Sequence, residues 1–325
     1  MSDLNISLDG KRNHENQSQI KIKLKNTWKK LKKTKYLQLM IIPGIIYFII
    51  FHYIPMYGII IAFKDYNMKL GILGSRWVGF ENFVRFFNHP HFFRLVRNTF
   101  LLNLYNLIWS FPAPIILALF LNEVRNLTYK KIVQTVSYLP HFISTVSVVG
   151  IIFMLLSPQG GLVNNVLGKL FNIEPIYFVA EPKWFRTIFI VSGIWQNVGW
   201  DAIIYIAALT AINYELYEAA TIDGASRFKQ MLHISIPGIL PTISIMLILR
   251  IGGMMSSNTD KVLLLQLPIT YEVSDVIGTY VYRRGLVMSE YSFSTAVDLF
   301  NNVINIILLV IANTVSRKVS ENSLW

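Results

Sequence analysis

The chain is a succession of long apolar runs separated by shorter polar connections. Residues 37–63 run for about 27 positions with no charged group other than His52, enough to cross a hydrocarbon core of about 30 Å as a helix. Apolar character returns at 99–122, 132–156, 187–212, 235–256 and 295–315. The pattern predicts an all-α polytopic membrane protein with six transmembrane helices. The first run is too long for a signal peptide and lacks a small-residue cleavage site, so it is read as an uncleaved span. Pro112 and Pro114 in the second run, Pro140 in the third, and Gly238 with Pro241 in the fifth interrupt the helical hydrogen bonding. In lipid such breaks are tolerated where neighbouring helices or a cavity satisfy the freed groups.

Composition agrees with a membrane class: 53% of the 325 residues are hydrophobic, 15% are charged, and mean hydropathy is +0.46. With no Cys, disulfides, thiolate metal sites and thiol nucleophiles are excluded. The net charge of +12 raises nucleic acid as a partner, but ten of the 30 Lys and Arg residues precede Tyr36, next to the first apolar run. That placement is a positive-inside signal or a contact with anionic membrane lipid, and no nucleic-acid partner is expected. Residues 1–35 form a basic cytoplasmic tail, in which 20–31 reads equally as an interfacial helix or a solvated charge run. Residues 36–96 hold the first helix and an outer connection, 97–316 a five-helix core, and 317–325 a cytoplasmic C-terminal tail. With both termini inside, 17 Lys and Arg fall on the cytoplasmic side against 12 outside. Without the tail the balance reverses, so the tail carries the orientation.

One polar stretch interrupts the apolar pattern on the cytoplasmic side. Residues 218–237 read EAATIDGASRFKQMLHISIP. Glu218, Ala219 and Ala220 favour helix, Asp223 and Gly224 make a break where glycine takes positive φ, and Ala225 to His233 resumes a helical pattern. Pro237 suits the start of the next helix. The stretch predicts helix, turn and helix on a membrane surface.

The pattern Glu218-Ala219-Ala220, Asp223-Gly224-Ala225, Phe228 and His233-Ile234-x-Ile236-Pro237 resembles the cytoplasmic EAA loop of binding-protein-dependent ABC import permeases. Trp77-Val78-Gly79-Phe80-Glu81-Asn82-Phe83 and Asn98-Thr99 resemble the segment before the second helix of the sugar-type permeases. Asp275-Val276-Ile277, Thr279 to Arg283, Ala296 to Phe300 and the final Leu324-Trp325 resemble the subgroup handling complex oligosaccharides and polysaccharide fragments. One segment, Ser257-Asn258-Thr259-Asp260, departs from that subgroup's pattern. The resemblance implies a type I ABC importer transmembrane domain in a bacterial cytoplasmic membrane. It further implies a second permease subunit of a different chain, a cytoplasmic ABC ATPase dimer, an extracytoplasmic solute-binding protein and an oligosaccharide substrate. ATP and Mg would be used by the partner ATPase, with no cofactor bound by this chain, which has no GxxxxGK[ST] loop. The coupling loop spans 213–234, and Glu218, Ala219, Ala220, Asp223, Gly224, Ala225 and Phe228 become its ATPase-docking candidates. Phe228 and Met231 supply apolar contacts to the ATPase or back to the bundle.

Polar groups inside the apolar runs mark candidates for a substrate path, because they are costly at membrane depth unless they face a cavity or one another. The fourth run carries Trp195, Gln196, Asn197, Trp200, Asp201 and Tyr205, and the second Asn103, Tyr105, Asn106 and Trp109. Aromatic faces beside hydrogen-bonding groups suit sugar rings, and interhelical hydrogen bonds are an equal reading. Arg250, deep in the fifth run, is read as snorkelling, as pairing with Asp201, or as binding an acidic sugar. His89 and His91 lack a third ligand at metal spacing, and no metal site is expected. HExxH and GxSxG are absent, so no hydrolytic chemistry is indicated. The rival class is an ion- or proton-coupled secondary transporter, against which stands the single mid-span acid, Asp201.

Overall fold

The computed structural model describes residues 34–256 and 258–320. The basic tail before residue 34, with the helix expected at 20–31, and the terminal Leu324-Trp325 lie outside the described residues. The fold is helical apart from one small hairpin, and the chain divides between Ile60 and Ile61 into two compact units.

In the first unit, which ends at Ile60, helix α1 begins at Lys35, with a π turn at Ile49–Tyr53 ahead of Pro55. A proline has no N–H, and the wider turn accommodates the missing bond without ending the helix. From Tyr36 to Tyr57 its large apolar side chains are exposed, the condition of a helix whose solvent is lipid.

The second unit opens with β1 (Lys64–Asp65) and β2 (Arg76–Trp77), antiparallel with Lys64 opposite Trp77. The motif from Trp77 to Phe83 wraps the chain just before this hairpin. Val78 and Gly79 donate backbone bonds to Phe63 O at 2.9 and 3.0 Å, and Asn82 Nδ2 donates to Ala62 O at 3.0 Å. Trp77 stacks on Phe63 with ring centroids 5.9 Å apart. Short helix α2 (Gly71–Gly74) lies within the hairpin and α3 (Glu81–Phe87) follows it.

Helices α4 (Phe92–Ser110) and α5 (Pro112–Glu123) form one long apolar element that breaks at Phe111, where Pro112 and Pro114 remove donors. Next come α6 (Leu127–Tyr138) and α7 (Thr145–Leu156). The sequence predicts one span over 132–156 with its hydrogen bonding interrupted at Pro140, and the axis turns by 100° between the two helices. Pro140 starts a 3₁₀ turn, Ile143 is extended, and Ser144 Oγ caps α7 by accepting from Ser147 N at 3.2 Å. A capped start is a new helix, so the apolar run is a bent pair. Helix α8 (Leu162–Phe171) ends at Asn172, whose φ of 52° is a left-handed cap.

Helix α9 (Pro182–Thr210) is central: it packs on α4, α5, α6 and on α11 (Arg227–Gly252). It is 29 residues long, yet it is absent from the four described helices apolar and long enough to span, since polar residues dilute its hydropathy. Among the described residues the bent pair makes a fifth candidate, where six spans were expected. Gly199 is where α9 meets α6: a Cβ there would run into the backbone carbonyl of Ser137. Helix α10 (Glu215–Ile222) precedes α11, and α12 (Thr259–Leu265), α13 (Tyr271–Ser274) and α14 (Ile277–Tyr282) lead to α15 (Tyr291–Ser320), which lies along α11.

Asp275, between α13 and α14, ties this return segment to α4. Its side chain is 1% exposed, and Arg283 Nη2 donates to both carboxylate oxygens at 2.7 Å. Thr279 Oγ1 donates to it at 2.9 Å and Arg94 Nη2 at 3.4 Å. Asn98 Nδ2 reaches the carbonyls of Glu272 and Asp275, and Ile277 N–H donates to Thr99 Oγ1 at 2.9 Å. The two segments singled out from sequence, Asn98-Thr99 and Asp275-Val276-Ile277, are therefore hydrogen-bond partners. Removing one member of a buried charged cluster leaves the others unpaired. Asp275→Ala is expected to cost about 3–5 kcal/mol, seen as a lowered melting temperature of the purified protein in detergent; Asp275→Asn, which keeps the acceptor from Thr279, is expected to cost less.

Candidate functional site

A cavity of about 550 Å³ lies among α4, α9, α11 and the segment leading into α12. Helix α9 supplies Gly193, Gln196, Asn197 and Asp201, a stripe repeating every three to four residues on one helix face. Helix α4 supplies Asn103, Asn106 and Ser110 at the same spacing. Arg250 enters from the last turn of α11, and Ser256, Asn258 and Lys261 close the wall beyond it.

The polar side chains of α9 are held in place. Gln196 Nε2 donates to Ile143 O at 3.1 Å, filling a carbonyl freed at the α6–α7 bend. Asn197 Oδ1 lies 3.0 Å from His141 Nδ1, and its Nδ2 donates to Gly193 O at 3.1 Å. These residues therefore combine both sequence readings, lining a cavity while hydrogen-bonding between helices. Asp201 lies within electrostatic range of Arg250 and His141, and among the described residues no ion pair within 4.0 Å joins Asp201 to Arg250.

The aromatic candidates sit elsewhere. Trp200 stacks on His141 with centroids 4.5 Å apart and rings nearly parallel. Tyr205, 2% exposed, belongs to an apolar cluster with Ala118, Ala202, Leu209 and Ile239. Trp195 is half-exposed, Trp109 is 63% exposed, and Tyr105 faces the Arg186 guanidinium at 5.9 Å. None of these five lines the cavity. His89, whose Nε2 lies 3.2 Å from the Tyr280 hydroxyl, is part of the packing against α14, and burial followed by neighbouring cations lowers its pKa.

Lys261 was not among the sequence candidates. It stands in a short apolar helix beyond the fifth run, where neither periodicity nor motif distinguishes it. Asn258 Oδ1 caps that helix by accepting from Lys261 N at 3.2 Å. The side chain is 2% exposed and its Nζ lies 5.3 Å from the centre of the Phe189 ring. Burial pushes its pKa down to about 8.

The polar stretch 218–237 forms the predicted helix, turn and helix. Ala225 N–H donates to Ala220 O at 2.8 Å and Gly224 N–H to Thr221 O at 3.1 Å, closing α10 with a left-handed residue, Gly224, at φ +75°. Ser226 caps α11, and Gln230 Nε2 crosses back to Thr221 Oγ1 at 3.0 Å and Ala225 O at 3.1 Å. Glu218, Ala219, Asp223 and Gly224 are exposed, and Ala220 and Ala225 half-buried. Phe228 is 67% exposed while Met231 packs on the apolar cluster around Tyr205, so Phe228 alone is left to solvent. The π turn at Met231–Ser235 links the loop to the rest of α11, and Ser235 Oγ lies 2.9 Å from the Tyr217 hydroxyl of α10.

Residues 95–320 match the family model described as "Binding-protein-dependent transport system inner membrane component". The chain is 47% identical to the polygalacturonan/rhamnogalacturonan transport system permease protein YteP of Bacillus subtilis (strain 168), over 91% of this chain and 92% of that one. It is 45% identical to protein LplB of the same organism, with the same two coverages. Among solved structures it resembles a chain from a bacterial ABC transporter involved in the import of the acidic polysaccharide alginate. The TM-score is 0.83 with 42% identity, covering 91% of this chain and 99% of that one. On this evidence the chain belongs to the inner membrane components of binding-protein-dependent transport systems, the non-enzymatic permease subunits of ABC importers.

Proposed function

We propose that this permease forms, with a second permease subunit, the path by which an oligosaccharide or polysaccharide fragment enters a bacterial cell, powered by a cytoplasmic ATPase pair docked on residues 213–234. An external solute-binding protein delivers the cargo, and both termini of this chain face the cytoplasm. The observation that carries the reading is the continuity of one element: the exposed loop at Gly224 runs directly into α11, whose far end brings Arg250 to the polar cavity. The 26 residues of α11 span about 39 Å at 1.5 Å per residue. A push on the loop is thus delivered to the cavity wall along one continuous helical rod.

In this reading Phe228 inserts into a groove of the ATPase, Glu218 and Asp223 pair with its basic groups, and Ala219, Ala220 and Ala225 allow close approach. Gly224 sets the angle between the two short helices. ATP bound with Mg in the partner closes the ATPase pair, moving two such loops and tilting the helices between inward and outward openings. The apolar outer faces of α4, α11 and α15 contact lipid and the second permease. The polygalacturonan/rhamnogalacturonan and alginate names of the relatives, together with a cavity lined by amides, hydroxyls and two cations, support a glycan cargo.

Gly224→Asp and Glu218→Lys are each expected to reduce ATP-dependent uptake to background in proteoliposomes while membrane insertion is retained. Co-purification of the ATPase is the direct readout, and its survival together with uptake would refute the docking. A separate substitution tests the path. Gly193 lines the cavity, and a Cβ there meets only Lys261 Nζ, at 3.7 Å. Gly193→Leu is expected to abolish uptake while leaving the assembled complex and its ATPase contact intact, as judged by size-exclusion chromatography.

A further inference from the structure

A lysine that is 2% exposed without a counter-charge is an expensive object. Among the described residues no carboxylate lies within 4.0 Å of Lys261 Nζ. Its neighbour is the face of Phe189, which attracts the cation but does not accept its hydrogen bonds strongly. Lys261 lines the cavity, its Nζ 3.7 Å from where a Cβ on Gly193 of the same wall would stand, and the cavity's other cation is Arg250 and its acid Asp201. The lining thus carries one more positive than negative charge.

The surroundings could have supplied a partner and do not. Asp260, the adjacent residue, is exposed, and Asp275, the nearest buried carboxylate in sequence, is already committed to Arg283, Arg94 and Thr279. A buried ammonium on the wall of a polar void lacks what an anion entering that void brings. A Met at this position would fill the same volume, keep the contact with Phe189 and escape the desolvation cost.

We infer that Lys261 forms a carboxylate-binding subsite in the cavity, with Arg250 as its second cation, and that it selects cargo carrying uronic acid residues over neutral sugars. The carboxylate completes the hydrogen bonding of the ammonium in a poorly solvated space, where a charge-assisted bond is worth more than at a surface. Hydroxyls of neighbouring sugar units meet Asn103, Asn106, Gln196 and Asn197. This subsite rests on the reading of the chain as a glycan importer permease, and gives that reading its charge preference.

The test uses the whole complex, permeases with ATPase, in lipid nanodiscs. Trigalacturonate and its fully methyl-esterified form are titrated into it, with affinity measured by microscale thermophoresis. The wild type is expected to bind the acid more tightly than the ester. Lys261→Met is expected to lose about tenfold in affinity for the acid, an ordinary size for one charge-assisted bond, with the ester unaffected and with a raised melting temperature. Lys261→Arg retains the preference. Equal affinity of the wild type for acid and ester overturns the subsite. So does an equal loss for both probes in Lys261→Met, or a lowered melting temperature with binding unchanged, which would make Lys261 a packing residue. ATP hydrolysis stimulated by the binding protein is followed in the same preparation: its absence in the wild type counts against the importer reading, whereas the acid-over-ester comparison judges the subsite.

Discussion

The interaction on which the rest of this structure depends is the internal satisfaction of polar groups where lipid offers no partner. Several helix ends and breaks are met by a side chain from elsewhere. Gln196 fills the Ile143 carbonyl at the α6–α7 bend, Asn305 accepts from Met255 N at 2.8 Å where α11 ends, and Asn164 spans the carbonyls of Leu156, Ser157 and Ile176. Asp275 gathers two arginines and a threonine onto one carboxylate. Helices that would otherwise slide on greasy surfaces are thereby fixed in register, because a hydrogen bond specifies position where dispersion does not.

That background gives the cavity its meaning. The cavity gathers amides, a carboxylate and two cations around a shared void, with Gln196 and Asn197 at the same time bonded to backbone. The void lies at one end of α11 and the exposed turn at Gly224 at the other. Between them, the π turn at Met231–Ser235 and the prolines at 237 and 241 mark where the rod is softest.

Much of this was legible beforehand. The loop was read correctly as helix, turn and helix because Gly224 and Pro237 punctuate it with strong local preferences. Asn103, Gln196, Asn197, Asp201 and Arg250 stood out because polar groups in apolar runs are conspicuous, and the structure brings these five to one wall. Trp200 and Tyr205 stood out for the same reason and lie in packing, since an aromatic ring serves a helix interface as readily as a sugar and sequence holds no sign of which face it takes. Pro140 marked the break in the third run, but its 100° size was not legible, because it depends on Ser144 starting a new helix. Lys261 was invisible because burial depends on the fold of a connection whose pattern carries no period.

The polarity of α9 bears also on how the protein is made. A segment carrying two amides and a carboxylate crosses into lipid reluctantly by itself. Yet the acceptor for Gln196 and the ring beside Asn197 belong to residues 143 and 141, and the helix against which α9 packs most extensively is α5. All of these leave the ribosome first. The order of the chain therefore lets α9 emerge into a half-built bundle that already holds its partners, so that its insertion is assisted by the protein's own earlier helices rather than opposed by the bilayer.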